Sequence, residues 1–150
     1  MDSAFSANVW NWYAENEYEK LLSFLQLCSG LEFLALEAPD QIASIPYCPA
    51  CEVWSEKILR IKFFIDDYEN AITTRLKEEL ISVFELCNNL SDDAFHCDDQ
   101  YIFNHDEWKC IRLAATNALE SLEWNFLKPY AAEFEGRAKN VLYGSPFQET

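Results

Sequence analysis

The residues with the clearest potential for chemistry are two cysteines in the segment Cys48-Pro-Ala-Cys51. Pro49 suits the first turn of a helix, and a helix N-terminus lowers the pKa of a nearby thiol, so the pair has the layout of a redox dithiol. Redox pairs of this type follow a strand of a βαβ unit, and no segment before Cys48 has the pattern of a strand. The sequence therefore gives little support to thiol–disulfide exchange.

The same two cysteines could provide half of a zinc site. Tetrahedral zinc requires two further ligands. Residues of suitable type follow in the chain: His96, Cys97, His105 and Cys110. None of these forms the second closely spaced pair that zinc modules use, so we predict no bound metal and no cofactor. The stronger interpretation makes the cysteines small apolar core residues, which fits the apolar helical positions of Cys28, Cys87 and Cys110. A zinc-containing module based on Cys48 and Cys51 is the alternative.

Nucleophilic catalysis by a cysteine and either His96 or His105 has no specific support. A chain with six cysteines and two histidines offers such pairs whatever its function, so their presence is no evidence of catalysis. Paired carboxylates carry no information in a chain with 26 acidic residues. The sequence also contains no Gly-rich phosphate loop, no Gly-x-Ser-x-Gly and no His-Glu-x-x-His motif. We therefore predict that the protein is not an enzyme.

A loop predicted over residues 88–104 mixes carboxylates with aromatic rings. Its acidic and aromatic residues are Asp92, Asp93, Phe95, Asp98, Asp99, Tyr101 and Phe103. Carboxylates steer association with a basic surface, and aromatic rings supply desolvated anchor contacts. The alternative is a solvated connector whose aspartates cap turns. The predicted partner-binding residues are Asp92, Asp93, Asp98, Asp99, Tyr101, Asp106 and Glu107.

The overall charge restricts the class of partner. The chain carries 26 acidic and 11 basic residues, which gives a net charge of −15. Nucleic acid and anionic membranes would be repelled, so we predict that the protein binds neither directly. A basic protein partner is compatible with this charge, although a merely solvated acidic surface is the plainer interpretation.

The acidic loop is predicted to be mounted on a long amphipathic helix over 103–127. Asn104 and Glu107 have the spacing of a capping box, and Phe103 and Trp108 that of a hydrophobic staple. The predicted inner face consists of Trp108, Ile111, Ala115, Ala118, Leu122 and Phe126. On the polar face, Arg112 is expected to form a surface ion pair or a link to a neighbouring helix.

The remaining pattern predicts an all-α fold, a single-domain bundle of about five helices over 1–150 with a loose tail at 143–150. Only three glycines and five prolines are present, too few for the turns of a β-sandwich or barrel. The other long helices are predicted over 6–28, 49–66, 69–88 and 129–142, with a short one over 31–37. The predicted inner faces are Trp54, Ile58, Ile61, Ile65, Tyr68, Ile72, Leu76, Leu80, Val83 and Cys87 over 49–88, and Tyr130, Phe134, Ala138 and Val141 over 129–142. Gly30 is interpreted as a helix stop, 38–47 as a loop, and one bent helix over 49–88 as the alternative to two.

The chain has no pattern of a secretory signal, and its longest apolar stretch, 21–38, is interrupted by polar residues. We therefore predict a cytoplasmic protein whose cysteines are reduced. The oligomeric state is open, because Trp10 and Trp12 are expected to point in different directions and one of them to be exposed.

The loop over 92–99 and the segment DEWKCIRLAATNAL give the chain a resemblance to the helical, acidic immunity proteins of bacterial polymorphic or contact-dependent toxins. This resemblance implies direct binding to a cognate toxin, most often a basic nuclease, and inhibition of it. An alternative is a phage or mobile-element inhibitor of a nucleic-acid-binding defence protein, of the anti-CRISPR or DNA-mimic type. A DNA mimic needs regular rows of acid. Basic residues interrupt such rows here: Lys57, Arg60, Lys62, Arg75 and Lys77.

Overall fold

The computed structural model describes residues 5–44, 50–95 and 100–144, and within these ranges it contains helices and short connections but no strand. The all-α prediction is confirmed. The α-helices are α1 (Phe5–Ala14), α2 (Tyr18–Ala35), α3 (Ala38–Ala43), α4 (Ala50–Tyr68), α5 (Thr74–Asn88), α6 (Glu107–Ser121), α7 (Trp124–Leu127) and α8 (Ala131–Tyr143). Short 3-10 helices cover Glu69–Ala71, Gln100–Asn104 and Lys128–Tyr130. The helices outnumber the five expected, because two predicted helices are interrupted and part of a predicted loop forms α3.

The helix at the centre of the fold is α2. It packs against α1, α4, α6 and α8, and α5 packs against α4 and α6. Ten of its eighteen residues are buried: Tyr18, Leu21, Leu22, Phe24, Leu27, Cys28, Gly30, Leu31, Phe33 and Leu34. A helix that is apolar on most of its circumference is typically surrounded by other elements. Helix α6, which is predicted to hold the acidic loop in place, is therefore one of the helices that pack around α2.

Two of the predicted long helices are interrupted by residues with left-handed backbone conformation. The predicted helix over 6–28 ends at Ala14, and α2 begins only at Tyr18, because Asn16 has φ of +65°. The predicted helix over 103–127 is interrupted in the same way at Glu123, with φ of +56°. Asparagine tolerates this conformation, but glutamate rarely adopts it. At Glu123 a distant contact compensates, since the Ser6 backbone N–H donates to its Oε1 at 2.7 Å.

The break predicted between the helices over 49–66 and 69–88 is confirmed. Helix α4 ends at Tyr68, and α5 begins after Thr73, whose hydroxyl accepts from the Leu76 backbone N–H at 3.2 Å. The alternative of one bent helix over 49–88 is wrong. Of the apolar residues predicted to share one face of these helices, Ile58, Ile61, Ile65, Leu76, Leu80, Val83 and Cys87 are buried, whereas Tyr68 and Ile72 are only half-buried.

Gly30 does not end a helix, as the sequence suggested, but lies inside α2 and is buried. A Cβ atom added at this position would lie 2.7 Å from the backbone oxygen of Lys57 in α4. The missing side chain is therefore what allows the backbones of α2 and α4 to approach each other. The short helix expected over 31–37 is not separate, because residues 31–35 continue α2 to its end.

The segment 38–43, predicted as loop, forms helix α3 and carries a buried polar side chain, Gln41. Its Nε2 group donates to the backbone oxygens of Phe33 (3.1 Å) and Leu34 (3.4 Å), at the end of α2. Its Oε1 atom accepts from Arg112 of α6 at 2.8 Å. The two bonds from Nε2 supply donors to carbonyls in the last turn of α2, where the Phe33 carbonyl also accepts from the Leu36 backbone N–H at 3.2 Å.

Arg112 links several elements, in agreement with one of its two predicted roles. Besides Gln41, its guanidinium donates to the backbone oxygens of Leu36 (2.9 Å) and Phe103 (2.5 Å). The half-buried position lowers the pKa of Arg112, and the nearby Glu37 opposes this effect. The side chain therefore joins the end of α2, helix α3, the 3-10 segment Gln100–Asn104 and α6.

The C-terminal helix begins at Ala131 rather than Pro129, and its predicted inner face is only partly correct. Phe134 and Ala138 are buried as expected, but Tyr130 and Val141 are exposed. Phe126, predicted to face inward, is 70% exposed, because the interruption at Glu123 rotates the residues that follow. The predicted tail lies outside the described residues from position 145 onward.

Among the described residues, no helix combines the length and the apolar character that crossing a bilayer requires.

Candidate functional site

The first turn of α6 differs from the predicted capping box. The helix begins at Glu107, Asp106 occupies the N-cap position without a capping bond from its side chain, and Asn104 belongs to the preceding 3-10 segment. The Glu107 backbone N–H donates instead to Nδ1 of His105 at 3.1 Å. The predicted contact between Phe103 and Trp108 does exist, with ring centroids 4.7 Å apart. The predicted capping box is therefore wrong, and the Glu107 side chain instead accepts hydrogen bonds from Ser91.

That contact closes a clasp on residues 91–95, which we call the acidic turn. The Ser91 backbone N–H donates to Oε1 of Glu107 at 2.9 Å, and the Ser91 hydroxyl donates to Oε2 at 2.5 Å. Nearer the end of the turn, the indole N–H of Trp108 donates to the Ala94 backbone oxygen at 2.8 Å, and both residues are buried. The acidic turn is therefore fixed at two points to consecutive residues of α6.

The clasp leaves the acidic side chains of the turn exposed. Asp92 and Asp93 form no hydrogen bond or ion pair with any other described residue. Asp106 is also exposed and pairs with exposed Lys109 at 3.3 Å, a contact worth under about 1 kcal/mol. Tyr101, in the 3-10 segment before α6, is 63% exposed. The structure thus groups Asp92, Asp93 and Asp106 around the start of α6, with Tyr101 on the adjoining segment.

The other predicted partner-binding residues have different outcomes. Asp98 and Asp99 lie outside the described residues. Glu107 is described, but both of its carboxylate oxygens are engaged by Ser91. Its geometry gives it the task of positioning the acidic turn.

Acid is expected to open the clasp. The hydrogen bonds from the Ser91 hydroxyl and then its backbone N–H lower the pKa of Glu107 below its ordinary value of 4.5. A lowered carboxyl pKa means that the stabilisation is complete above the ordinary value and is lost as the pH falls through the lowered one. In an NMR titration, the Ser91 amide shift should move with a midpoint below 4.5, and Glu107→Gln should abolish the transition. A midpoint at or above 4.5 would contradict the clasp.

Ser91, His105 and Glu107 are residue types of a catalytic triad, but their arrangement is not that of one. The Ser91 hydroxyl donates to the carboxylate and not to the imidazole. Nδ1 of His105 accepts from a backbone N–H and lies 3.9 Å from Oε2 of Glu107. The imidazole is not placed on the hydroxyl, so this cluster lacks the serine–histidine pair of a triad.

Of the three cysteines whose side chains are described, two are buried, as expected for apolar core residues, and one is exposed. Cys28 and Cys87 are buried, and burial raises the pKa of both thiols, that of Cys87 to about 12. Cys110 is exposed. Within the described ranges, no three His, Cys, Asp or Glu side chains are grouped so that they could hold a metal ion. Cys48, His96, Cys97 and the side chain of Cys51 lie outside those ranges, so the zinc alternative stays a prediction.

The residues that hold the site together were missed by sequence reasoning. Ser91 and Ala94 fall in the predicted loop over 88–104, and Gln41 in the predicted loop over 38–47. The sequence offers a signal only for the contact made by Ala94. Trp108 is predicted to be buried, and the indole N–H of a buried tryptophan normally has a hydrogen-bond acceptor. The partner of Glu107 could not be found from local spacing, since Ser91 lies 16 residues away.

Comparisons of the chain with protein families, with characterised proteins and with solved structures found no match. What the site can do therefore has to be inferred from its own geometry and charge.

Proposed function

We propose that this chain is a non-enzymatic inhibitor that acts in the cytoplasm, where its acidic turn binds a basic protein. The partner is a toxin domain with nuclease activity, so the chain acts as an immunity protein. The observation that carries this proposal is the clasp, which holds Asp92 and Asp93 exposed on a fixed backbone while their side chains make no other described contact.

A fixed acidic turn is well suited to binding. Ordering a flexible loop at an interface costs free energy, and the two bonds to α6 have already ordered this one. A net charge of −15 adds long-range attraction for a basic partner, which raises the association rate. Tyr101 is of a residue type that commonly anchors interfaces, and its exposed ring adjoins the mount of the turn.

The alternative of a DNA mimic receives less support from the same contacts. On α4, Arg60 pairs with Glu56 at 2.8 Å and Lys62 pairs with Asp66 at 3.1 Å. These pairs place positive charge inside the row of acids that a mimic would use in place of phosphates. The acidic turn covers only residues 91–95. Such a short acidic segment suits contact with a protein surface better than it suits the long groove in which a protein binds a nucleic-acid strand.

The test is binding to the product of the adjacent gene, purified as an isolated domain. We expect a 1:1 complex whose association slows as the salt concentration rises. The variant that neutralises Asp92, Asp93 and Asp106 to asparagine should raise the Kd roughly tenfold or more, mainly through slower association. Surface plasmon resonance at two salt concentrations measures both rates.

The matched control also removes three negative charges, at exposed positions away from the turn: Asp67→Asn, Glu78→Gln and Glu120→Gln. If the acidic turn is the site, this control should change the Kd by less than about threefold, since only the general charge is reduced. Equal losses in both variants would show that net charge alone drives binding. Wild-type affinity in the first variant would refute the acidic turn as the site.

A further inference from the structure

A second surface with the composition of a binding site lies where α1 packs beside the start of α8. Four aromatic rings meet there: Trp10, Tyr13, Tyr130 and Phe134. We call this set the aromatic patch. The Trp10 ring centroid lies 5.0 Å from that of Tyr130 and 4.9 Å from that of Phe134. Phe134 is buried, but Trp10 is 38% exposed and Tyr130 is 43% exposed. Of the two tryptophans on α1, Trp12 is the buried one.

The exposed rings of the aromatic patch are held in place by their neighbours. Trp10 meets Tyr130 at an interplanar angle of 71° and Phe134 at 75°, the edge-to-face arrangement that aromatic pairs prefer. Tryptophan and tyrosine dominate the energetic hot spots of interfaces. Rings that are already fixed lose little conformational entropy on binding, so this patch is preorganised.

A carboxylate stands at the edge of these rings. The Tyr13 hydroxyl donates to Oε2 of Glu133 at 2.9 Å, and Glu133 is itself exposed. This hydrogen bond raises the pKa of the Tyr13 phenol, so the hydroxyl remains a donor. An aromatic ring face next to a carboxylate is the combination that binds a guanidinium or an ammonium group.

Two of the chain's own cations, Lys20 and Arg137, have contacts within the protein, and Arg137 lies beside Tyr13, where its charge opposes the rise in the phenol pKa. Nζ of Lys20 lies 5.5 Å from the ring centroid of Trp12, a cation–π contact of the type expected for the patch. Arg137, one turn after Glu133 on α8, donates to the Tyr18 hydroxyl at 3.2 Å. Within the described ranges no lysine or arginine lies over Trp10.

We propose that the aromatic patch binds an arginine or lysine side chain of a protein partner. Trp10 and Tyr130 supply ring surface, and Glu133 supplies the opposite charge. A second copy of this chain is the other candidate occupant, but two chains of charge −15 repel each other. The patch therefore fits a basic partner better than self-association.

This surface is separate from the acidic turn. The Ser6 backbone N–H contacts Glu123, just beyond the C-terminal end of α6, so α1 begins at that end. The acidic turn is fixed to the opposite end, and fifteen helical residues span about 22 Å. The inference consequently does not depend on the function proposed for the acidic turn.

The probe is a blocked heptapeptide in which arginine alternates with glycine, and the control peptide carries neutral citrulline in place of arginine. Both are titrated into the ¹⁵N-labelled full chain, and the indole N–H resonance of Trp10 is followed after its assignment with Trp10→Phe. We expect a saturable shift with the arginine peptide and none with the citrulline peptide. Glu133→Gln should weaken the apparent affinity at this resonance about fivefold.

The control variant is Asp92→Asn with Asp93→Asn, which should leave the Trp10 titration unchanged while it weakens the binding proposed for the acidic turn. Equal shifts with both peptides would overturn the proposal, as would an unchanged affinity in Glu133→Gln. A Trp10 shift that depends on protein concentration without any peptide would assign the patch to self-association and also overturn it. Failure of the acidic turn to bind a toxin domain would not alter these readouts.

Discussion

Replacing Arg112 with methionine is expected to lower the free energy of unfolding by about 3 kcal/mol. The substitution keeps an unbranched apolar stem but removes the donors to the Leu36 and Phe103 carbonyls and to Oε1 of Gln41. Each buried acceptor left without a donor costs roughly 1–3 kcal/mol, and partial access of water at this half-buried site reduces the sum. Urea unfolding followed by circular dichroism measures the change.

The conservative substitution and a neighbouring lysine provide the controls for this prediction. Arg112→Lys retains the charge but lacks the planar fork that reaches several acceptors at once, so we expect an intermediate loss. Lys109→Met removes a positive charge from the same helix at an exposed position and should change the free energy of unfolding by less than about 0.5 kcal/mol. Arg112→Met within 1 kcal/mol of wild type would show that the four elements do not depend on this side chain.

Gly30→Ala is expected to destabilise the protein by about 2 kcal/mol. Alanine is the better helix former by about 1 kcal/mol, and that gain opposes the effect. The new Cβ would lie 2.7 Å from the backbone oxygen of Lys57, and a backbone atom cannot move aside as a flexible side chain can. Helices α2 and α4 must then separate, which loosens the core around the central helix, so the steric effect exceeds the propensity gain.

Gly136 provides the same substitution without the contact. It lies on α8, is exposed, and has no atom within 4 Å of an added Cβ. Gly136→Ala should therefore stabilise the protein by about 0.5–1 kcal/mol. The two substitutions are predicted to have opposite signs, measured by thermal unfolding under identical conditions. Stabilisation by both would mean that α2 and α4 are not in the close contact described.

The parts of the fold that were predictable from the sequence are those set by local periodicity. Helical spacing of apolar residues identified the buried faces of α4, α5 and α6, and the break between α4 and α5 followed from helix length and capping residues. These features depend on residues within a few turns of one another, so their pattern is visible in the chain.

The features that were missed depend on distant partners. Glu123 adopts a left-handed conformation beside a contact from Ser6, which lies 117 residues away. Gly30 follows an apparent helix pattern and looks like a stop until Lys57 is placed against it. The clasp has the same origin, because the spacing of Glu107 fits a capping box and only the folded chain shows Ser91 as its partner. Local propensity was overridden by tertiary contact in each case.

The clasp also separates the residues that hold the acidic turn from those proposed to face a partner. The fixing bonds come from Ser91, the Ala94 carbonyl, Glu107 and Trp108, and the Asp92 and Asp93 side chains take no part in them. Exposed side chains without such contacts can usually be exchanged with little change in stability. Positions 92 and 93 can therefore diversify without disturbing the scaffold, which makes the turn a natural place to retarget the protein by a small combinatorial library.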